Sequence, residues 1–339
     1  MELGPHLIFW EINQKCNLRC PYCRRQDYFD MGLSLEASLS VIDSIAKDYR
    51  PLLVFSGGEP LLYSHIFEVA SYAHKAGLRT ALATNGTLID EDMAGKIKMV
   101  DFHRVAVSLD GASQSTNDIL RGEGAFAKTI LGIKRLRSQG ISIQINTTIL
   151  RSNFKEIFSI YELCLELGID ALHIFAFVPV GCGMNVPEKM RLSPEEYEKC
   201  LNDIAHLSLE SKIEIKVTCA PHYYRILIKS EPTYFEKRGW SRGCLAGSGV
   251  CFISSAGEVR PCGYLTLSAG NIFEDDFGKI WRGSQLFKTL RNTDNLKGKC
   301  ASCEYIDICS GCRARAYAKT GDYLEEEPDC VYQPLSVKY

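Results

Sequence analysis

Three cysteines lie close together near the start of the chain, at Cys16, Cys20 and Cys23, without a fourth cysteine nearby in the sequence. Three thiolates can bind three irons of a four-iron cluster and leave the fourth iron open to another ligand. An open metal position distinguishes catalytic sites from closed structural ones. The spacing therefore favours a cluster with an open iron. The alternatives are a zinc site completed by a distant ligand and a loop of free thiols.

A glycine-rich motif, GGEP at residues 57–60, adds a second set of groups that could bind a ligand. Its glycines expose backbone amides without side-chain obstruction and Glu59 adds one carboxylate, which suits a ligand with an ammonium group. Ser108, Asp110 and Asn146 follow or end later apolar runs of the chain. We expect these polar side chains to reach the hydroxyl groups of a ribose.

Eight further cysteines lie between residues 244 and 330. They are Cys244, Cys251, Cys262, Cys300, Cys303, Cys309, Cys312 and Cys330. Eight thiolates are enough for two fully ligated clusters, but paired CxxC units are equally typical of a zinc ribbon. Because thiolate ligands alone do not determine the metal, these cysteines leave zinc and iron–sulfur open.

The elements that must position these residues alternate between strand and helix. Strand-like runs occur at Leu7–Ile12, Leu52–Phe55, Arg79–Ala83, Arg104–Leu109, Ile141–Thr148 and Ala171–Val178, and helical stretches at Leu35–Asp48, His65–Ala76, Phe126–Gln139 and Phe154–Leu167. Six βα units in series predict a parallel sheet, and six are too few for a closed eight-stranded barrel. We expect an α/β fold with a partial (β/α)6 TIM-like barrel, whose ligands bind at the carboxyl ends of the strands.

The pattern changes after Gly183, and the remaining chain reads as two further regions. A helix is predicted to begin near Ser193, and a short strand at Lys212–Val217 leads into the segment TCAPHYYRI. From Cys244 the chain is rich in glycine and cysteine, so bound metal would supply part of its folding energy. We expect a barrel over residues 1–190, a bridge over 191–240 and a cysteine-rich auxiliary-cluster domain over 241–335.

Composition and charge narrow the class of protein. The formal net charge is −2 and neither half is strongly basic, which argues against nucleic-acid binding. Neither a signal peptide nor a membrane span is predicted, so we expect the cytoplasm, where structural disulfides are disfavoured. Fifteen cysteines in such a compartment indicate metal or redox cofactors, although Cys164 and Cys200, within helical patterns, read as core residues.

The cysteine spacing CxxxCxxC with Tyr22 before the last cysteine, together with GGEP, resembles the radical S-adenosylmethionine (SAM) enzymes. The resemblance implies that Cys16, Cys20 and Cys23 bind a [4Fe–4S] cluster whose open iron chelates SAM. It also implies that Gly57, Gly58 and Glu59 line the methionine amino group, and that Ser108 and Arg121 approach its carboxylate or ribose. SAM would be split into methionine and a 5′-deoxyadenosyl radical.

The C-terminal cysteines resemble the SPASM extension of these enzymes, which carries one or two auxiliary [4Fe–4S] clusters. The resemblance implies two ligand sets: Cys244, Cys251, Cys262 and Cys312 for the first cluster, and Cys300, Cys303, Cys309 and Cys330 for the second. One departure concerns the first set, because two residues separate Cys309 from Cys312 where the usual pattern has three.

Several longer segments, among them INTTILRSNFKEIF, TCAPHYYRI and GCRARAYAKTGDYLEEEPDC, resemble the heme synthases of the siroheme-based pathway. The resemblance implies an anaerobic oxidative decarboxylation of two propionates of Fe-coproporphyrin III to vinyl groups. It also implies an external low-potential electron donor. An auxiliary cluster could accept the electron left after each loss of carbon dioxide.

A site for a flat macrocycle with carboxylates needs aromatic walls, cationic groups and an axial ligand for the iron. Candidate walls are Phe175, Phe177, Tyr223, Tyr224 and Tyr264; candidate cations are Arg225, Arg242, Arg313 and Arg315. His173 and His222 could bind iron or transfer a proton, and we expect His222 to lie in a loop. A buried aromatic or a single histidine in an apolar strand is more often only a core residue.

Three other functions compete with this one. A radical SAM maturase that modifies a peptide commonly carries an N-terminal peptide-binding module, and the first predicted strand begins too early for one. The related heme-pathway enzyme that removes acetate side chains is expected to have a longer N-terminal segment. A zinc-ribbon protein that binds nucleic acid is disfavoured by the near-neutral charge.

Overall fold

A computed structural model of the chain describes residues 4–25, 32–233 and 243–335. The strands are β1 (Leu7–Glu11), β2 (Leu52–Ser56), β3 (Arg79–Thr84), β4 (Arg104–Ser108), β5 (Ile143–Ile149), β6 (Ala171–Ala176), β7 (Glu214–Thr218), β8 (Val250–Ile253), β9 (Glu258–Arg260) and β10 (Gly270–Asn271). The helices are α1 (Leu35–Asp48), α2 (Ile66–Lys75), α3 (Glu91–Val100), α4 (Gln114–Arg121), α5 (Ala125–Ser138), α6 (Ile157–Glu166), α7 (Pro194–Glu210), α8 (His222–Ser230), α9 (Phe277–Gly283), α10 (Gln285–Arg291), α11 (Gly298–Ala301) and α12 (Arg313–Thr320).

Within the described residues all strands belong to one open sheet, in the order β10-β9-β8-β1-β2-β3-β4-β5-β6-β7. β1 to β6 pair in parallel in chain order, which confirms the predicted α/β partial barrel. The sheet extends further than the six predicted units. β7 adds in parallel to β6, and β8 adds in parallel to β1 on the other side.

The two faces of the sheet differ because side chains alternate along each strand. Residues such as Trp10, Phe55 and Leu82 are fully buried and pack into one hydrophobic core with residues of the helices. Ser108, Asn146 and His173 are register partners on β4, β5 and β6, so they share the opposite face. That face is partly exposed and polar, as a ligand cavity requires and a filled barrel core does not.

Helix ends follow local capping chemistry. α7 begins at Pro194 behind a capping box, in which the Ser193 hydroxyl accepts from the Glu196 N–H and the Glu196 carboxylate accepts from the Ser193 N–H. The predicted start near Ser193 is thereby confirmed. His222 was expected in a loop, and this is wrong: it is the first residue of α8, because Pro221 before it already has helical backbone angles.

The C-terminal region joins the barrel instead of forming a separate layer. β8 shares its hydrogen-bonding edge with β1. Helix α9 packs against α1, where Lys47 pairs with Asp276 at 2.8 Å and Arg282 with Asp48 at 3.2 Å. The predicted boundaries at residues 190 and 240 stay predictions.

Candidate active site and iron–sulfur centres

The loop after β1 presents three partly exposed cysteine thiols, those of Cys16, Cys20 and Cys23. The Leu18 N–H donates to Cys16 Sγ at 3.4 Å, the kind of contact that stabilises a thiolate. Burial raises the pKa of Cys20 to about 11, so this thiol is protonated without a metal. Metal binding at this loop must therefore release protons.

The GGEP loop holds the cysteine loop in place through its backbone. The Gly58 N–H donates to Asn13 O at 2.9 Å, and the Glu59 N–H donates to Lys15 O at 2.8 Å. A Cβ atom on Gly58 would lie 2.2 Å from Lys15 O, so no larger residue fits at this position. Glycine is required here because the two loops are in backbone contact.

The structure corrects the predicted role of the Glu59 carboxylate. Glu59 is fully buried, and its carboxylate accepts hydrogen bonds from Thr84 Oγ1 at 2.7 Å, Asn85 N at 2.7 Å and Leu61 N at 3.2 Å. Burial raises the pKa of Glu59, and these hydrogen bonds oppose the shift. The carboxylate connects the ends of β2 and β3 and is already committed within the protein, so it does not suit an ammonium ligand.

Asp110 likewise belongs to a buried network and not to a ribose site, which corrects that prediction. Its carboxylate accepts from the Tyr22 hydroxyl, from Arg121 Nε at 2.6 Å and from Thr148 N at 2.7 Å. Tyr22 lies between Cys20 and Cys23 in the sequence, so the network fixes the cysteine loop to β4 and α4. Arg121 interacts electrostatically with Cys20, which places its cation beside the cysteine loop.

Ser108 and Asn146 remain available on the polar face of the sheet. Both are partly exposed, and they are register partners on β4 and β5. Asn146 Oδ1 accepts from Gln144 Nε2 at 2.6 Å, which leaves its amide nitrogen to face the cavity side of the sheet.

Cys219, and not Cys251, joins the first group of C-terminal cysteines. Cys251 lies on β8 opposite Ile8, on the face that packs into the hydrophobic core, and is fully buried. Its predicted place in the ligand set is wrong for that reason. Cys219 follows β7, packs with Cys262 and Cys312 in one cluster, and is hydrogen-bonded to Cys312.

Electrostatic interactions between thiols show that Cys244 also belongs to the first group of C-terminal cysteines. The Cys262 thiol interacts with Cys244 and Cys312, and burial raises its pKa to about 12. The hydrogen bond with Cys219 lowers the pKa of Cys312. The N–H groups of Tyr264 and Leu265 donate to Cys262 Sγ at 3.4 and 3.3 Å. Four thiols from separate elements thus converge, which fits a fully ligated cluster.

The four cysteines of the second group lie together in the structure. Its members line one cavity between α8 and the C-terminal segment: Cys300, Cys303, Cys309 and Cys330. The Glu327 N–H donates to Cys300 Sγ at 3.4 Å, and the Gly311 N–H donates to Cys309 Sγ at 3.5 Å. His222 and Arg225 line the same cavity from α8. Four thiols with N–H donors around them fit a second cluster.

A single metal ion fits these groups less well than a cluster does. The described residues contain no group of three or more His, Cys, Asp or Glu side chains close enough to share one ion. The ligands of a four-iron cluster each bind a different iron and do not need to approach one another that closely.

The segment after β6 connects the three-cysteine loop to the first auxiliary group. The Gly183 N–H donates to Cys23 O at 3.1 Å. Val178 and Val180, a few residues earlier, pack with Cys312. Arg24 also lies close to Gly263, since a Cβ atom there would be 3.5 Å from Arg24 Nε. The loops of the two centres are therefore in direct contact.

The side chains of three candidate arginines are engaged in ion pairs or hydrogen bonds within the protein. Arg315 pairs with Glu327 at 3.1 Å and Asp329 at 3.0 Å, and Arg225 is held by the carboxylate of Glu198. Arg313, also buried, donates to the carbonyl oxygens of Tyr323 and Glu325. These three side chains do not form an exposed rim for carboxylates. Arg242 lies outside the described residues.

The candidate aromatic and histidine residues divide into two sets. Phe177 and Tyr223 are buried in hydrophobic clusters, whereas Phe175, Tyr224 and Tyr264 are partly exposed. His173 lies on the polar face, with its Nε2 3.7 Å from Glu214. Burial lowers the pKa of His222 to about 4, so its ring is neutral at physiological pH. His222 is only 1% exposed beside the second cysteine group, which does not suit an iron ligand for a porphyrin.

Family models match both parts of the chain: the Radical SAM superfamily over residues 10–164 and the SPASM iron–sulfur cluster-binding domain over residues 244–313. The AdoMet-dependent heme synthase of Methanosarcina barkeri is 45% identical, with 98% of each chain covered. That of Nitratidesulfovibrio vulgaris is 39% identical, with 97% of this chain and 92% of the relative covered. SuiB of Streptococcus suis, solved with the precursor peptide SuiA, shares the fold with a TM-score of 0.78, at 19% identity over 97% of this chain and 76% of its own.

Fold and site together define a radical SAM enzyme with a SPASM extension, which uses SAM, a SAM-binding [4Fe–4S] cluster and auxiliary iron–sulfur clusters. No helix in the described parts of the chain is long and apolar enough to cross a membrane. Within the radical SAM class, the chain belongs to the AdoMet-dependent heme synthase family. The enzyme is thus a radical SAM oxidoreductase of heme biosynthesis with a porphyrin substrate.

Proposed function

We propose that this enzyme converts two propionate side chains of Fe-coproporphyrin III into vinyl groups and so forms heme in the cytoplasm. The full-length likeness to heme synthases carries the proposal. Each conversion removes one hydrogen atom from the propionate β-carbon, releases carbon dioxide and leaves one surplus electron. Two such conversions consume two SAM molecules, and an external low-potential donor supplies the electron that each cleavage of SAM requires.

The three-cysteine loop would bind the SAM-binding cluster through Cys16, Cys20 and Cys23. When bound, this cluster supplies the electron that cleaves SAM into methionine and the radical that takes the hydrogen atom. Gly57 and Gly58 hold the loop close to β2, so that SAM meets a fixed wall of backbone. Arg121, held by Asp110 and in electrostatic contact with Cys20, would be the cationic partner of the methionine carboxylate.

The surplus electron needs an acceptor close to the substrate. We assign this role to the first auxiliary centre, held by Cys219, Cys244, Cys262 and Cys312. What supports the assignment is the contact between its loop and the three-cysteine loop at Arg24 and Gly263. These four cysteines would hold a cluster there, which would supply an acceptor for the one electron left by each carbon dioxide released.

The porphyrin would then lie against the polar face of the sheet, between these two centres. Ser108, Asn146 and His173 offer hydrogen-bonding groups on that face, and Phe175 offers an aromatic surface. Arg225 and Arg315 are buried and held in ion pairs, which argues against this role for them.

An anaerobic turnover assay tests the proposal. Reconstituted enzyme, a reductant, SAM and Fe-coproporphyrin III are combined, and the porphyrin mass is followed with time. We expect two successive losses of one formic-acid equivalent each, through a monovinyl species to heme. Cys20→Ala should abolish formation of 5′-deoxyadenosine and leave the auxiliary clusters detectable by their absorption.

The same assay separates the rival reactions. Formation of 5′-deoxyadenosine with an unchanged porphyrin mass would contradict the proposed substrate and favour a peptide substrate instead. A second run with an iron porphyrin that still carries acetate side chains tests the related deacetylating reaction, which loss of those acetate groups without vinyl formation would favour.

A further inference from the structure

A buried histidine faces the second auxiliary centre without a partner in the protein. His222 opens α8 and is 1% exposed. It lines the same cavity as Cys300, Cys303, Cys309 and Cys330. The described residues offer no hydrogen-bond partner to either of its ring nitrogens, Nδ1 or Nε2.

An unpaired buried imidazole is costly, since an unsatisfied buried polar group destabilises a fold by about 1–3 kcal/mol. Its polar neighbours in the cavity are already engaged. Arg225 donates to both carboxylate oxygens of Glu198, and Lys299 donates to the Cys330 carbonyl oxygen. The cavity itself is therefore the place where a partner of His222 must lie.

The chemistry of the cavity identifies that partner. A neutral imidazole carries one N–H donor. The sulfur atoms of an iron–sulfur cluster accept hydrogen bonds, and such hydrogen bonds raise the reduction potential because they stabilise the more negative, reduced state. The carboxylate that lines the cavity, that of Glu327, already accepts hydrogen bonds from the Cys312 N–H at 2.7 Å, from Arg315 Nη1 at 3.1 Å and from the Asp329 N–H at 3.1 Å.

We propose that His222 donates a hydrogen bond to a sulfur atom of the second auxiliary cluster and raises the reduction potential of that cluster. The inference rests on the four-cysteine ligand set proposed above and is independent of the substrate. The sequence predicted His222 as an iron ligand or a proton donor for the porphyrin. The proposal instead makes His222 a residue that tunes the reduction potential of one auxiliary cluster.

The test is a redox titration of the reconstituted holoenzyme, followed by electron paramagnetic resonance. His222→Leu removes both ring nitrogens at similar volume, and His222→Asn keeps an N–H donor. His206→Leu is the matched control, because His206 is exposed on α7. We expect His222→Leu to lower the equilibrium constant for reduction of one cluster about tenfold, equivalent to about 59 mV for one electron. His222→Asn should recover part of the shift, and the other two clusters should keep their wild-type potentials.

Unchanged potentials in His222→Leu with wild-type iron content would overturn the proposal. If that variant loses iron, the hydrogen bond is tested instead in the wild-type enzyme labelled with ¹⁵N-histidine. A hyperfine coupling between one histidine nitrogen and a reduced auxiliary cluster is expected, and its absence would refute the hydrogen bond. Neither measurement involves a porphyrin, so failure here is distinguishable from failure of the proposed reaction.

Discussion

At the scale of single residues, Cys219 and Cys251 show that a cysteine's role depends on which side of the sheet its side chain reaches. Cys251 lies on β8 and Cys219 directly follows β7, the two strands that extend the predicted barrel. Cys251 points to the helix-packed face because it pairs with Ile8, whereas Cys219 follows its strand with a left-handed backbone angle of +62°. That conformation is uncommon for a residue other than glycine, and it turns the chain toward Cys312.

A matched pair of substitutions tests this assignment. Cys219→Ser should lower the iron content of the reconstituted enzyme by about four atoms per chain, because one four-iron cluster loses a ligand. Cys251→Ser should keep the wild-type iron content, at a small cost in stability. Iron and acid-labile sulfide analysis measures both. Equal iron loss in both variants, or loss in Cys251→Ser alone, would restore the original ligand set.

The sequence alone shows that the three cysteines of the first loop lie together, but it does not show which cysteines meet in the first auxiliary group, for a physical reason. Cys16, Cys20 and Cys23 lie within one loop, so their spacing alone brings them together. The first auxiliary group draws on separate elements, and sequence distance does not reveal which strand ends meet. The sequence signal that could have identified Cys219 as a ligand was its position, directly after a strand and before Ala220 and Pro221.

At the scale of elements, the loops after β1 and β2 form one unit. The Gly58 and Glu59 N–H groups bind the backbone of the cysteine loop, and the Asp110 network anchors Tyr22 from the other side. The sequence placed GGEP beside the cysteines correctly but assigned its amides to a ligand. Nothing in a tight-turn motif shows whether its amides bind a ligand or a neighbouring loop.

Gly58→Ala tests whether this contact positions the cluster. Overpacking at a tight site costs about 1–3 kcal/mol, and here the added methyl group would displace Lys15 beside Cys16. We expect formation of 5′-deoxyadenosine to fall at least tenfold while the auxiliary clusters are retained. Gly95→Ala on α3 is the control, because its Cβ meets nothing within 4 Å. Wild-type cleavage in Gly58→Ala would contradict a positioning role for this contact.

At the scale of the whole molecule, the barrel and the cysteine-rich region share one sheet. The six predicted strands and most helix bounds agree with the structure, since hydrophobic periodicity is a local signal. The pairing of β8 with β1 was not predicted, because it joins segments about 240 residues apart and no local pattern encodes that distance. β8 contributes four residues, too few for a distinct period.

Removal of the clusters should loosen the C-terminal region before the barrel. The barrel shares a large hydrophobic core with β8 and α9, whereas the rest of the C-terminal region contains the small cluster around Cys312, which has few members and includes the proposed ligands. Limited proteolysis of chelator-treated enzyme, with fragments assigned by mass, should therefore cut first within residues 243–335. The holoenzyme is the control. Equal rates of cleavage in the two regions would contradict a folding contribution from the metal.

The parallel pairing of β1 with β8 has a consequence for synthesis on the ribosome. β1 is made before its partner on one side, which emerges only about 240 residues later. At about 5–20 residues per second, this interval is on the order of 10 to 50 s. During that time a strand edge beside the first cysteine loop stays open to other chains. A nascent chain of this enzyme is therefore more prone to aggregate before β8 has been translated than after it.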